Sequence, residues 1–99
     1  VVGLWTLTAS TATVACGDVG GTIVRMSLAL PNGARTATAA CGAGRIAIDE
    51  YLVETIDPIE VGFMLLGDVA QLTSTVAANV QLVAGATSTV SVAFDVSEL

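Results

Sequence analysis

The chain has 99 residues, enough for one domain with a single core and too few for a catalytic domain joined to a second unit. Hydrophobic residues make up 54% and charged residues 12%, with a mean hydropathy of +0.82, whereas ordinary soluble domains carry about 25% charged residues. The net charge is -6, from nine carboxylates against Arg25, Arg35 and Arg45, with no Lys or His. This excludes the clustered cations that bind nucleic acid and removes the commonest general base and metal ligand.

The apolar content is mostly Ala and Val, and Thr is abundant, which suits pleated, half-buried β surface. Residues 1–9 read as a first strand with Trp5 and Leu7 on one face and Val2 and Leu4 on the other. A terminal strand is normally a half-exposed edge, so two apolar faces leave two readings. Either Trp5 plugs the chain's own core, or the strand pairs with another chain. Residues 11–16 form a short edge strand leading to the glycine loop 17–21. Residues 22–30 alternate cleanly, with Val24, Met26, Leu28 and Leu30 inward. Pro31-Asn32-Gly33 closes a hairpin through a type I turn, and residues 35–41 return.

After a turn at 42–44, Ile46 and Ile48 share one face of a short strand. Residues 49–57 are the least regular part. Pro58 then opens a strand reaching Asp68, with Ile59, Val61, Phe63 and Leu65 on one face and Met64 and Leu66 on the other. It belongs in the middle of a sheet, and Met64 and Leu66 want cover that the chain does not obviously supply. Residues 70–84 form a long strand with Val76, Ala78, Val80 and Leu82 on its apolar face. Residues 87–96 follow as the second arm of a C-terminal hairpin, with Val90, Val92, Phe94 and Val96 inward. The expectation is an all-β fold, a single β-sandwich of about seven mostly antiparallel strands over residues 1–99.

Cys16 and Cys41 are an even pair with wide spacing, unlike a zinc site or a Cys-x-x-Cys redox motif, and a disulfide is expected. Its loop of about 25 residues corresponds to roughly 3–4 kcal/mol of stabilisation and to a compartment outside a reducing cytosol. A start without Met fits a processed secreted protein, an excised domain or a trimmed piece. No apolar run reaches the 18 or so residues of a membrane helix, and 99 residues are too few for eight membrane-spanning strands and their turns. No membrane span is expected.

Candidate chemistry is sparse. Asp49, Glu50, Glu54, Asp57 and Glu60 cluster and read as a solvated acidic rim. Calcium is the metal such oxygens suit, and Asp49, Glu50, Glu54 and Asp57 are its candidates, but EF-hand spacing is missing and no metal is assigned. Ser, Thr and Cys nucleophiles have no His to activate them, and no Gly-x-Ser-x-Gly elbow occurs. No catalytic residue, cofactor or small-molecule substrate is expected. Of the aromatics Trp5, Tyr51, Phe63 and Phe94, only Tyr51 is placed to stack on a sugar.

Several features occur together in order: the early Trp5, the hairpin 27–34 with its Pro31-Asn32-Gly33 tip, residues 61–66 followed by Gly67-Asp68, Val83-Ala84-Gly85, and residues 90–96. This order resembles small extracellular bacterial sandwiches of the immunoglobulin-like and prealbumin-like groups, including carboxypeptidase-regulatory-like domains. It departs from the last of these, which place Pro-Gly before a Tyr-containing strand where this chain has Asp57-Pro58-Ile59. The resemblance implies a non-catalytic spacer, adhesive or assembly role.

Two functions follow as expectations. The first is an extracellular structural protein that forms a homo-oligomer or polymer, such as a filament or cell-surface subunit. Its contacts would involve Val2, Leu4, Trp5, Leu7, Met64 and Leu66, with strand addition through the N-terminal segment. The second is a monomeric binding or spacer module of a larger secreted protein, recognising a protein or glycan near Tyr51.

Overall fold

The structure, a computed structural model, describes residues 1–10, 12–30, 33–48, 58–68, 70–81 and 87–97. Among them are eight strands: β1 (Val2–Ala9), β2 (Ala12–Val14), β3 (Ile23–Leu30), β4 (Gly33–Ala40), β5 (Arg45–Ala47), β6 (Ile59–Leu66), β7 (Gln71–Val80) and β8 (Thr89–Asp95). They form two mostly antiparallel sheets, the all-β sandwich expected from the alternation.

One sheet is antiparallel throughout, in the order β4-β3-β6-β7. Its inner rows are Val24, Met26 and Leu28 of β3 and Val61, Phe63 and Leu65 of β6, each at most 1% exposed. β6 is central, as its two-faced apolar pattern predicts. In the other sheet β1 runs down the middle. β8 lies parallel to it from Val2↔Thr89 to Thr8↔Asp95, while β5 and β2 share its opposite edge, pairing with residues 2–4 and 7–9. Of the two readings of residues 1–9, the one in which Trp5 plugs the chain's own core holds: Trp5 and Leu7 are buried. Nor is β1 the half-exposed edge that a terminal strand normally forms, because β8 lines one side of it and β5 and β2 the other.

Two further expectations are corrected. The C-terminal strands are not a hairpin: β7 belongs to one sheet and β8 to the other. A period of two assigns a strand's face but not its neighbour, and β1 offered β8 a full-length edge with matching inward residues. Val76 and Ala78 also do not share a face with Val80. Thr75 and Ala77 pair with Phe63 and Val61 on the inner side, and a register shift then brings Val80 opposite Ile59. Asn79, at φ 59, absorbs the extra residue of this bulge. Val76 therefore stands on the outer surface, 59% exposed.

The sheets meet closely at Gly3 of β1. A Cβ built there would lie 2.6 Å from the Phe63 ring and 2.7 Å from the Met26 sulfur, so glycine's missing side chain is what admits them.

The Cys16–Cys41 disulfide is formed, with Cα atoms 6.0 Å apart. Each cysteine opens a short 3-10 turn, Cys16–Val19 after β2 and Cys41–Ala43 after β4. The buried Cys41 is the hub of this end of the sandwich. Its N–H donates to the Thr22 carbonyl at 2.9 Å, and its own carbonyl accepts the Trp5 indole N–H at 2.9 Å. Thr22 in turn donates its N–H and its hydroxyl to the Leu66 carbonyl. The start of β3, the end of β6, the middle of β1 and the irregular segment at Cys16 are thereby fastened to one another.

At the other end of β8, the Ser97 hydroxyl and N–H both donate to Asp95 Oδ1, at 2.7 and 3.0 Å. These bonds, the hydroxyl's first, hold the Asp95 carboxyl below the ordinary carboxylate range.

Two outcomes are expected. Trp5→Phe keeps most of the apolar bulk but leaves the buried Cys41 carbonyl without its donor, and thermal or urea melts should show a loss of about 1–3 kcal/mol. Since ionised Asp95 is the bonded form, its contribution is present above the ordinary carboxylate pKa and is lost as pH falls through the lowered one. Ser97→Ala should raise the Asp95 midpoint in an NMR carboxyl titration.

Candidate functional site

Among the described residues, the outer face of the β4-β3-β6-β7 sheet is the least ordinary surface. Successive residues of β6 alternate between faces, so Glu60, Gly62, Met64 and Leu66 point away from the core. The pairing register sets Met64 between Arg25 of β3 and Ser74 of β7, and Gly62 between Ser27 and Val76. A Cβ added at Gly62 would meet nothing within 4 Å. The bare backbone there forms the floor of a shallow dent of about 210 Å3, walled by Arg25, Met64, Ser74 and Val76. Among the described residues Ile23 and Val76 are the large apolar side chains most open to water, 41% and 59% exposed, and both lie on this face.

Charge is unevenly shared between this sheet and the rest. Its four strands contain Arg25, Arg35 and Glu60 and no other charged residue, a net of +1, so the remaining residues carry -7 of the chain's -6. Arg25 makes no ion pair among the described residues. Its guanidinium, the Ser27 and Ser74 hydroxyls and the apolar rim can support contact with another surface. With no imidazole in the chain and no buried polar side chain among the described residues, the dent has nothing to polarise a nucleophile.

The residues singled out for self-association fall in three places. Trp5 and Leu7 are core. Val2 and Leu4 are half-buried on the outer face of the sheet built around β1, with no share in the dent. Met64 and Leu66 are half-buried on the outer face of the β4-β3-β6-β7 sheet, where β1, packed against the opposite side of β6, does not cover them. The calcium candidates Asp49, Glu50, Glu54 and Asp57, and Tyr51, lie outside the described residues. Glu60 is exposed on β6, and among the described residues no three metal-ligating side chains converge.

Sequence reasoning missed Arg25, Gly62 and Val76 as neighbours. Gly62, a glycine in an otherwise apolar strand, was the available signal, since it marks a weakened position or a place where something approaches the backbone.

Comparison with known protein families, with characterised proteins and with solved structures finds no match to this chain. Among the described residues no helix is long and apolar enough to cross a membrane.

Because the space above Gly62 is open and valine is a better strand former than glycine, Gly62→Val should fill the dent at no cost to the fold. Its melting temperature is expected to equal or exceed that of the native chain by circular dichroism.

Proposed function

We propose that this chain is a non-enzymatic, extracellular structural protein that self-associates as an oligomer or a polymer, such as a filament or cell-surface subunit. The observation that supports this best is the outer face of the β4-β3-β6-β7 sheet. Apolar side chains stand in water there, around a dent with no catalytic equipment, on a sheet whose four strands carry a net charge of only +1. Two copies of a chain carrying -6 repel one another, and contact through a nearly neutral surface is where that repulsion is weakest. The disulfide favours an oxidising compartment. Kinship with immunoglobulin-like or prealbumin-like extracellular sandwiches is part of the same proposal, supported by the two-sheet architecture.

Strand donation by the N-terminal segment is not the route we favour, because β1 would have to leave partners on both of its edges. The alternative of a monomeric module that binds near Tyr51 rests on residues outside the described set.

Size-exclusion chromatography with light scattering, over a wide concentration range, tests the reading. Association is expected, and it should strengthen from low salt to 0.15 M NaCl, where the Debye length shortens to about 8 Å and mutual repulsion is screened. A monomer at every concentration and salt overturns the proposal.

A further inference from the structure

Among the described residues the β4-β3-β6-β7 sheet has two open edges, and they differ. Along β7 the ladder is broken by register shifts between Ile59 and Val61 and between Leu65 and Leu66. Bulges of this kind disturb an edge and discourage pairing with another strand. β4 has no such protection. Its 8 residues pair with β3 in one uninterrupted register, from Leu30↔Gly33 to Ile23↔Ala40.

In an antiparallel ladder, alternate residues turn their N–H and C=O groups to one neighbour and those between turn theirs the other way. The phase is given by Cys41, in register with Thr22, whose N–H donates to the Thr22 carbonyl. Counting back by twos, Gly33, Arg35, Ala37 and Ala39 face β3. Ala34, Thr36, Thr38 and Ala40 therefore direct their backbone groups to the open side, where no hydrogen bond from this chain reaches them among the described residues. β4 also lacks what edge strands commonly carry against association: it has no Pro, no Lys, no acidic residue and no bulge, and Arg35 is its single charge. Its other side chains are Ala and Thr, which let a strand approach to the usual spacing of about 4.8 Å.

We propose that β4 docks, antiparallel, onto β4 of a second copy of this chain, joining two four-stranded sheets into one continuous sheet of eight. This rests on the self-association reading above, but the contact it names is the sheet's edge, and it joins the two outer faces side by side instead of covering them. A two-fold axis normal to the sheet keeps both cores on the same side only if residues of equal parity pair. Centred on Ala37, the pairing sets Thr36 against Thr38 of the second copy, Ala34 against Ala40 and Arg35 against Ala39. Threonine pairs directly across strands are favourable. The two Arg35 residues lie about 14 Å apart along the strands, well beyond a Debye length at physiological salt.

The test uses two double variants, Thr36→Lys with Thr38→Lys, and Thr36→Glu with Thr38→Glu. Both positions are exposed on the outer face, so each variant should stay folded, the lysine pair melting somewhat below the native chain because position 38 faces Arg25 across the β3–β4 ladder, and the glutamate pair at or above it. In the proposed register each sets like charges opposite one another twice. Each alone should be monomeric by light scattering where the native chain is dimeric, with a Kd raised at least tenfold. The lysine variant should dissociate although it lowers the overall charge from -6 to -4. An equimolar mixture should recover the dimer, because each lysine then faces a glutamate. Thr38→Pro, which removes an outward N–H that β3 does not use, should also be monomeric and folded. Variants that associate like the native chain would show that another surface is used, such as β7 of a second copy, and would overturn the inference while leaving self-association standing. A native chain that is monomeric throughout overturns both.

Discussion

The knot at Cys41 is the constraint on which this sandwich most depends. A sandwich whose chain passes repeatedly between sheets must hold its crossings in place, and crossings are irregular segments whose backbone groups need partners. Here one buried residue serves two crossings, its own after β4 and the one it is bonded to after β2, and ties a strand of each sheet to them. Its sulfur anchors the β2–β3 connection, its N–H extends the β3–β4 ladder by one rung, and its carbonyl receives the Trp5 indole from β1. The disulfide restricts the unfolded chain, while the indole bond acts only in the folded one, so the two contributions are independent in origin. Gly3 complements the knot from the other direction, because the sheets can close only where β1 presents no side chain to Phe63 and Met26.

That arrangement makes the N-terminal strand the middle of a sheet. β1 is paired from residue 2 to residue 8 by β8 on one edge, and on the other by β5 at residues 2–4 and β2 at residues 7–9. The parallel pairing of β1 with β8 is accompanied by burial of Val1 and Val96 in the core. The association-prone part of the molecule consequently moves to the opposite sheet. That sheet has a charge-poor outer face, one bulged edge and one regular edge. Bulges in β7 and their absence in β4 give the two edges different fates in any encounter with a second chain.

Charge acts at longer range. Glu60 is the one carboxylate in the β4-β3-β6-β7 sheet and Asp95 the one in the other sheet, so seven of the nine belong to connecting and terminal residues. Both sheets are close to neutral, and contact between copies through a sheet meets little of the like-charge repulsion that a net -6 imposes.

Much of the fold was legible in the residues alone. Strict alternation in 22–30 and 59–66 identified β3 and β6 and their inward rows, since burial of one face demands a period of two. The wide spacing of two cysteines, with no His to make a metal site, pointed to the disulfide. What the residues could not reveal was neighbourhood. Alternation in 87–96 is equally compatible with β7 or β1 as partner, and only the assembled sheets show that β8 lies parallel to β1. Nor could parity survive the bulge at Asn79, which sends Val76 outward although it shares its alternation with Val80. The candidate site, Gly62 flanked by Arg25, Ser74 and Val76, comes from three strands, and its members are distant in the chain. The sequence by itself therefore determined which elements exist and which faces they bury, because those follow from local periodicity. Strand order, register and the open edge were decided by tertiary structure, because they depend on which unpaired backbone groups find partners once the core has closed.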